Sequence, residues 1–284
     1  VDVITTPAAM RAWSEAQRVA GRRIGFVPTM GALHAGHLAL VDEARHHADA
    51  IVVSIFVNPL QFNVAADFER YPRPIDADLE QCAAVGVDAV YAPTAAAMYP
   101  RGFDTHVEPG VLAEPFEGAH RPGHFRGVTT VVAKLFTAVQ PHVAVFGRKD
   151  AQQLAVIERM TTDLDLGIRI VGLPTVREVD GLAMSSRNAR LEPADRAAAV
   201  CIAAGLRAAA LAVEHGERDP RAVVDLARQA IDAEPLARLE YLDLVDPATF
   251  ATVEAPLAAG EWLLVAAVWF GEVRLIDNLA VVAR

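Results

Sequence analysis

The sequence predicts an α/β fold: a Rossmann-like, doubly wound parallel sheet joined to a smaller C-terminal α+β lid domain. Three observations predict it. Short runs rich in β-branched residues alternate with helical stretches through the first two thirds of the chain, the pattern of strands linked by crossover helices. After about residue 175 that alternation gives way to two helices followed by three strand-like runs. Three chemically distinctive segments, Thr29-Met30, Asn58-Pro59 and Gly147-Arg148-Lys149, fall just past strand-like runs, on the edge where open α/β sheets bind ligands.

In chain order, Ile24-Gly25-Phe26-Val27-Pro28-Thr29 reads as a strand near 23–29, broken by Gly31 before a helix near 36–48. Strands near 50–57, 87–92, 143–147 and 168–173 then alternate with helices near 74–85, 127–140 and 150–164. A polar loop from Arg177 to Asn188 leads to an alanine-rich helix from about 193 to 215 and a second near 219–233. Strand-like runs at 238–245, 261–270 and 273–282 follow, with the partial alternation of a mostly antiparallel sheet that has one covered face. The division predicted is 1–175 for the Rossmann-like domain and 176–284 for a smaller domain closing over it.

A chain of 284 residues is long enough for a large buried core. Cys82 and Cys201 both lie in apolar helical contexts, which argues against a disulfide framework and for a reducing, cytoplasmic setting. The most apolar stretch, 197–213, is interrupted by Arg207 and preceded by Asp195-Arg196, so no membrane span or signal peptide is expected. A formal charge of −10 argues against a general nucleic-acid surface, and any phosphate must be gripped locally. Only Lys134 and Lys149 are lysines among 26 basic residues. An ammonium kept where arginine is the rule draws attention, because the two cations are not interchangeable at a phosphate; for Lys134, helix packing explains it equally well.

His34-Ala35-Gly36-His37 follows the first of these strands directly. Two imidazoles three residues apart at a strand-to-helix turn can converge on one triphosphate. Gly31 and Gly36 let the backbone approach a ligand, and the helix start offers N–H groups and a positive dipole end. The same residues also suit a surface turn or a packed histidine pair. Lys149-Asp150-Ala151-Gln152-Gln153 opens a helix, and Lys149 and Gln153, four apart, can face one cleft; an ordinary capped helix is the other reading. Met184-Ser185-Ser186-Arg187-Asn188 places two hydroxyls and a guanidinium where they can contact polyphosphate, or forms a flexible loop. Gln61, after the second strand, offers a donor and an acceptor to a hydroxy acid, or lies in a simple turn. Arg121 and Arg126 suit an anion or solvent, and Glu117 lies in the same loop. Asp76 and Asp78 suit Mg²⁺ or a helix N-terminus. His46, His47, His106, His120 and His142 show no ligand spacing, and no protein metal site is expected.

Five segments in order, 28–38, 54–62, 123–128, 146–154 and 180–188, resemble the pantoate–β-alanine ligase family over nearly the whole chain. His-x-Gly-His with Met-Ser-Ser-Arg alone resembles only the wider nucleotidyltransferase superfamily; Asn-Pro-Leu-Gln-Phe and Lys-Asp-x-Gln-Gln narrow it to this ligase. The resemblance implies ATP along Met30, Gly31, Ala32, Leu33, His34, Ala35, Gly36 and His37, at Gly147, Arg148, Lys149 and Asp150, and at Val176, Met184, Ser185, Ser186 and Arg187. It implies pantoate at Gln61 and Gln153, β-alanine beside Gln61, Mg²⁺ with the triphosphate, and a homodimer. Three departures stand out: Arg148 where the family usually has glutamate, Ala77 within an acidic cluster, and residues 63–66 in place of a glycine-bearing turn.

The implied reaction has two halves. Pantoate carboxylate, ionised at neutral pH, attacks the α-phosphate of ATP; the amine of β-alanine then displaces AMP from the pantoyl adenylate. His37, His34 and Lys149 are the catalytic candidates, stabilising charge on the phosphates. Two other readings are an adenylyltransferase acting on a phosphorylated acceptor and a nucleotide-binding relic without turnover.

Overall fold

Six parallel strands make the first sheet, in a computed structural model that describes residues 1–284. They are β1 (Asp2–Ile4), β2 (Ile24–Thr29), β3 (Ala50–Ile55), β4 (Ala89–Tyr91), β5 (Val143–Gly147) and β6 (Arg169–Leu173), in the order β1-β4-β3-β2-β5-β6. The crossovers carry α1 (Pro7–Val19), α2 (Ala35–Arg45), α3 (Ala65–Glu69), α4 (Ile75–Ala84), α5 (Ala95–Met98), α6 (Glu117–His120), α7 (His124–Val139) and α8 (Ala151–Asp163). The predicted strands are β2 to β6. The N-terminal β1 and α1 formed no part of the sequence expectation. α1 nevertheless has a legible start: Thr6 caps it through Ala9 N, and Pro7 occupies its first turn.

Both faces of this sheet are covered, so its strands read as near-continuous apolar runs. Phe26, Val52, Tyr91, Ala144 and Phe146 pack on one face with residues of α1, α7 and α8. Val27, Ile51, Val53, Val90 and Val145 pack on the other with Leu40, Val41 and Ala44 of α2 and Cys82 of α4.

The chain reverses its winding at β2, flanked by β3 on one side and β5 on the other. There the ladder is incomplete. β2 stays paired with β3 up to Thr29↔Ile55, whereas β2 and β5 pair only at Gly25↔Val143 and Phe26↔Ala144. Ile24 exchanges hydrogen bonds with His142, so even-numbered residues of β2 face β5. Pro28 is the next such residue beyond Phe26, and it has no N–H to give. A proline in an interior strand thus ends the ladder at the switch point, where α/β sheets open a ligand crevice.

By backbone contacts the chain divides into two compact units, residues 1–148 with 152–174, and residues 149–151 with 175–284. Lys149, Asp150 and Ala151, placed by the sequence reading in the first domain, group with the second unit. That unit contains α9 (Pro193–Ala198), α10 (Val200–Glu214), α11 (Pro220–Asp232) and the antiparallel sheet β7 (Ala237–Val245), β8 (Gly260–Phe270), β9 (Val273–Ala283). The single helix expected over 193–215 is interrupted at Ala199. The run Pro193–Glu214 is long and apolar enough to cross a bilayer. Here Ile202, Leu206, Ala209 and Val213 instead pack with Leu264, Val268 and Leu275 of the sheet. The expectation of one covered face needs correction at β8, where successive residues Leu263 to Val268 are all buried.

Candidate active site

In the first unit the site begins where β2 ends. Gly31 and Ala32 both adopt positive φ, +81° and +50°, a reversal that L residues other than glycine disfavour. A Cβ on Gly31 would lie 2.8 Å from Asp78 Oδ2. Asp78, buried on α4, stabilises the turn: its two carboxylate oxygens accept from Ala32 N and Leu33 N, each at 2.8 Å. Gly31 N donates to Thr29 Oγ1. These three loop amides are therefore already bonded, and the Mg²⁺ expectation for Asp78 gives way to a clamp on the loop. Asp76 is exposed on the same helix.

The two histidines cap α2. His34 Nδ1 accepts from Gly36 N at 3.2 Å and His37 Nδ1 accepts from His34 N at 3.3 Å, a reciprocal capping box built from imidazoles. Their ring centroids lie 4.1 Å apart. Because each Nδ1 accepts, each neutral ring carries its proton on Nε2, the donor form that phosphate oxygens require.

Gln61 is buried on the turn Pro59–Gln61 after β3. Its Oε1 accepts from Asn58 Nδ2 at 3.0 Å and its Nε2 donates to Met30 Sδ at 3.2 Å, so two predicted residues meet. Asn58 is the hub: it also donates to Gly127 O and accepts from the Tyr99 hydroxyl at 2.7 Å. Burial raises the Tyr99 phenol above its ordinary range and keeps it a donor. The Gln61 carbonyl accepts from His124 Nδ1 at 2.9 Å and from Arg121, whose guanidinium also pairs with buried Glu117. Arg121 therefore braces the turn, while Arg126 pairs with Glu108 at the surface. α7 approaches so closely that a Cβ on Gly127 would lie 2.2 Å from Leu60 O.

Gly147 ends β5, and Arg148 Nε donates to Gly172 O on β6. Of the two glutamines on α8, Gln152 is a structural tie to Glu117 N, Leu112 O and Pro115 O, while Gln153 is half-buried.

In the second unit, the expected loop 177–188 is ordered. Met184 N donates to Val176 O and Glu178 N to Leu182 O, closing a narrow hairpin around Gly181. Ser185 Oγ then caps the turn Ser186–Arg190 through Arg187 N. Two adjacent polar residues of β9 hold Arg177, at the start of this loop, and the candidate Lys149. Asp277 forms a two-pronged ion pair with Arg177 at 2.7 and 3.0 Å, and Asn278 Nδ2 donates to Lys149 O at 2.8 Å. Sequence reasoning missed Asp277, Asn278 and Tyr99, the bridging role of Asn58 and the clamp role of Asp78. The signal for the first two was present, as consecutive polar residues inside an apolar strand run.

No three His, Cys, Asp or Glu side chains group to hold a metal. A family model described as pantoate-beta-alanine ligase matches residues 2–280. The chain belongs to the pantoate–β-alanine ligase family. A pantothenate synthetase of Heliobacterium modesticaldum is 53% identical over 272 residues, 96% of each chain. The crystal structure of pantothenate synthetase from Thermus thermophilus superposes with a TM-score of 0.92 at 44% identity, covering 98% of this chain and 99% of that one. A pantoate-beta-alanine ligase from Francisella tularensis, crystallised with a β,γ ATP compound and β-alanine, gives 0.80 at 32% identity, with 98% and 97% covered. As a member of this ligase family the chain is an ATP-dependent enzyme that joins pantoate to β-alanine.

Proposed function

We propose that ATP is bound by Met30 to His37, Gly147 to Asp150, Val176 and Met184 to Arg187, that pantoate is held by Gln61 and Gln153, and that β-alanine enters beside Gln61. The observation that carries this reading is the capped imidazole pair. Both neutral rings take the Nε2–H form in the connection that follows β2, and Met30 of the same connection contacts Gln61.

The pantoate carboxylate attacks the α-phosphorus, the bond to the bridging oxygen breaks, and pyrophosphate leaves. His37 and His34 donate hydrogen bonds to the phosphate oxygens as charge builds, and Lys149, Ser185, Ser186 and Arg187 complete the clamp. The β-alanine amine then attacks the acyl carbon of the mixed anhydride, AMP departs with the electron pair and the amine loses a proton. In this second half, exclusion of water from the adenylate matters more than acid–base help. Mg²⁺ arrives with ATP as part of the substrate, since Asp78 is committed to the loop and Ala77 offers no ligand. The enzyme works as a homodimer in the cytoplasm.

Incubation with ATP, Mg²⁺, D-pantoate and β-alanine yields pantothenate and AMP in equal amounts. Omitting β-alanine leaves pantoate-dependent exchange of pyrophosphate into ATP, which separates this ligase from an adenylyltransferase that needs a phosphorylated acceptor. Saturable ATP binding without pantoate-dependent AMP would instead mark an inactive relic. Sedimentation at the chain's own mass would refute the dimer.

A further inference from the structure

Away from the crevice, a cavity of about 250 Å³ lies against α1, α5 and α7 in the first unit. Met98, Phe103 and Val107 supply its apolar wall, and Arg11 and Lys134 its charge. No aspartate or glutamate lines it, although acids outnumber bases 36 to 26 in this chain. Neither cation is in an ion pair. The Lys134 ammonium instead stands 5.1 Å from the Phe103 ring centroid and 5.9 Å from that of Tyr99. Ring faces steady an ammonium without using up its N–H donors. This is also one of only two lysines in the chain.

We propose that this cavity is a binding site for a small organic monocarboxylate with a compact apolar body. Its carboxylate is taken by Lys134 and Arg11 and its hydrocarbon part by Met98, Phe103 and Val107. The occupant reaches the crevice through a short relay: Tyr99, beside Lys134, donates to Asn58 Oδ1, and Asn58 donates to Gln61 Oε1. Occupation therefore shifts the pantoate KM, a consequence that rests on the role proposed for Gln61; binding itself does not.

The test is calorimetric titration of the full chain, without nucleotide, using 4-methylpentanoate and its neutral counterpart 4-methylpentan-1-ol. The acid binds saturably at one site and the alcohol at least about tenfold more weakly, the scale of one charge-assisted contact. Arg11→Gln, on an exposed helix position, and Lys134→Met each weaken the acid about tenfold and leave the alcohol unchanged. Equal binding of acid and alcohol, no saturation by either, or wild-type acid affinity in both variants overturns the site. In turnover assays the acid changes the pantoate KM of the wild type but not of Arg11→Gln. An unchanged wild-type KM at saturating acid overturns the relay and leaves the binding result standing.

Discussion

At His34 and His37 the capping hydrogen bonds decide the chemistry of the side chains, because an imidazole that accepts at Nδ1 must donate from Nε2. The histidines were legible in the sequence; their capping role was not, since helix caps are usually read from Ser, Thr, Asp and Asn. His37→Ala or Lys149→Ala lowers kcat by about 10²-fold or more, the loss expected for one preorganised charge-stabilising contact. Near-normal turnover in both variants would remove these residues from the catalytic set. Asp78 acts one step further back. Asp78→Asn replaces one of two acceptors for the Ala32 and Leu33 amides with a donor. It thereby costs about tenfold in kcat, the scale of one lost charge-assisted hydrogen bond. If Asp78 were a Mg²⁺ ligand instead, the variant's activity would recover with excess Mg²⁺, and that recovery would refute the clamp.

Among the elements, the contact between α7 and the turn Pro59–Gln61 depends on the absence of a side chain at Gly127. Gly127→Ala forces the two apart, destabilising the fold by about 1–3 kcal/mol and raising the pantoate KM more than it lowers kcat, read from thermal melts and steady-state kinetics. A normal KM in a folded variant counts against Gln61 as a pantoate ligand. The glycine was visible in Gly123-His124-Phe125-Arg126-Gly127, but which backbone it admits is a long-range fact. His142 gives a second element-scale test. Its Nδ1 accepts the Ile24 N–H at the start of the β2–β5 ladder. Burial foremost, then the charges of Arg18 and Arg23, lower its pKa below the ordinary 6.5, with Asp49 opposing. Between the folded value and 6.5 the unfolded chain binds the extra proton, so this contribution is complete above 6.5 and is lost as pH falls through that interval. His142→Gln flattens the decline in urea midpoint on acidification from about pH 7 to 5, the range around an ordinary histidine. An unaltered pH slope would show that other groups set it.

For the whole molecule, each unit has its own core, and β9 ties the second together through Asp277 and Asn278. Asp277→Asn leaves Arg177 half-matched in a nearly buried setting, where the Asp277 side chain is 3% exposed. Breaking such a pair costs about 3 kcal/mol. Calorimetry then shows the melting of the second unit moved to lower temperature while the first unit keeps its own; an unmoved profile defeats that role. The sequence by itself determined the alternation of strands and helices, the order of the chemical motifs and the family, because hydrophobic period and motif spacing are local properties of the chain. Only the tertiary structure decided that Pro28 opens the ladder toward β5, that Asp78 serves the loop rather than a metal, and that Asn278 holds Lys149. Each of those depends on which distant backbone group a donor or acceptor meets, and residues 46 or 129 positions apart carry no local sign of their pairing.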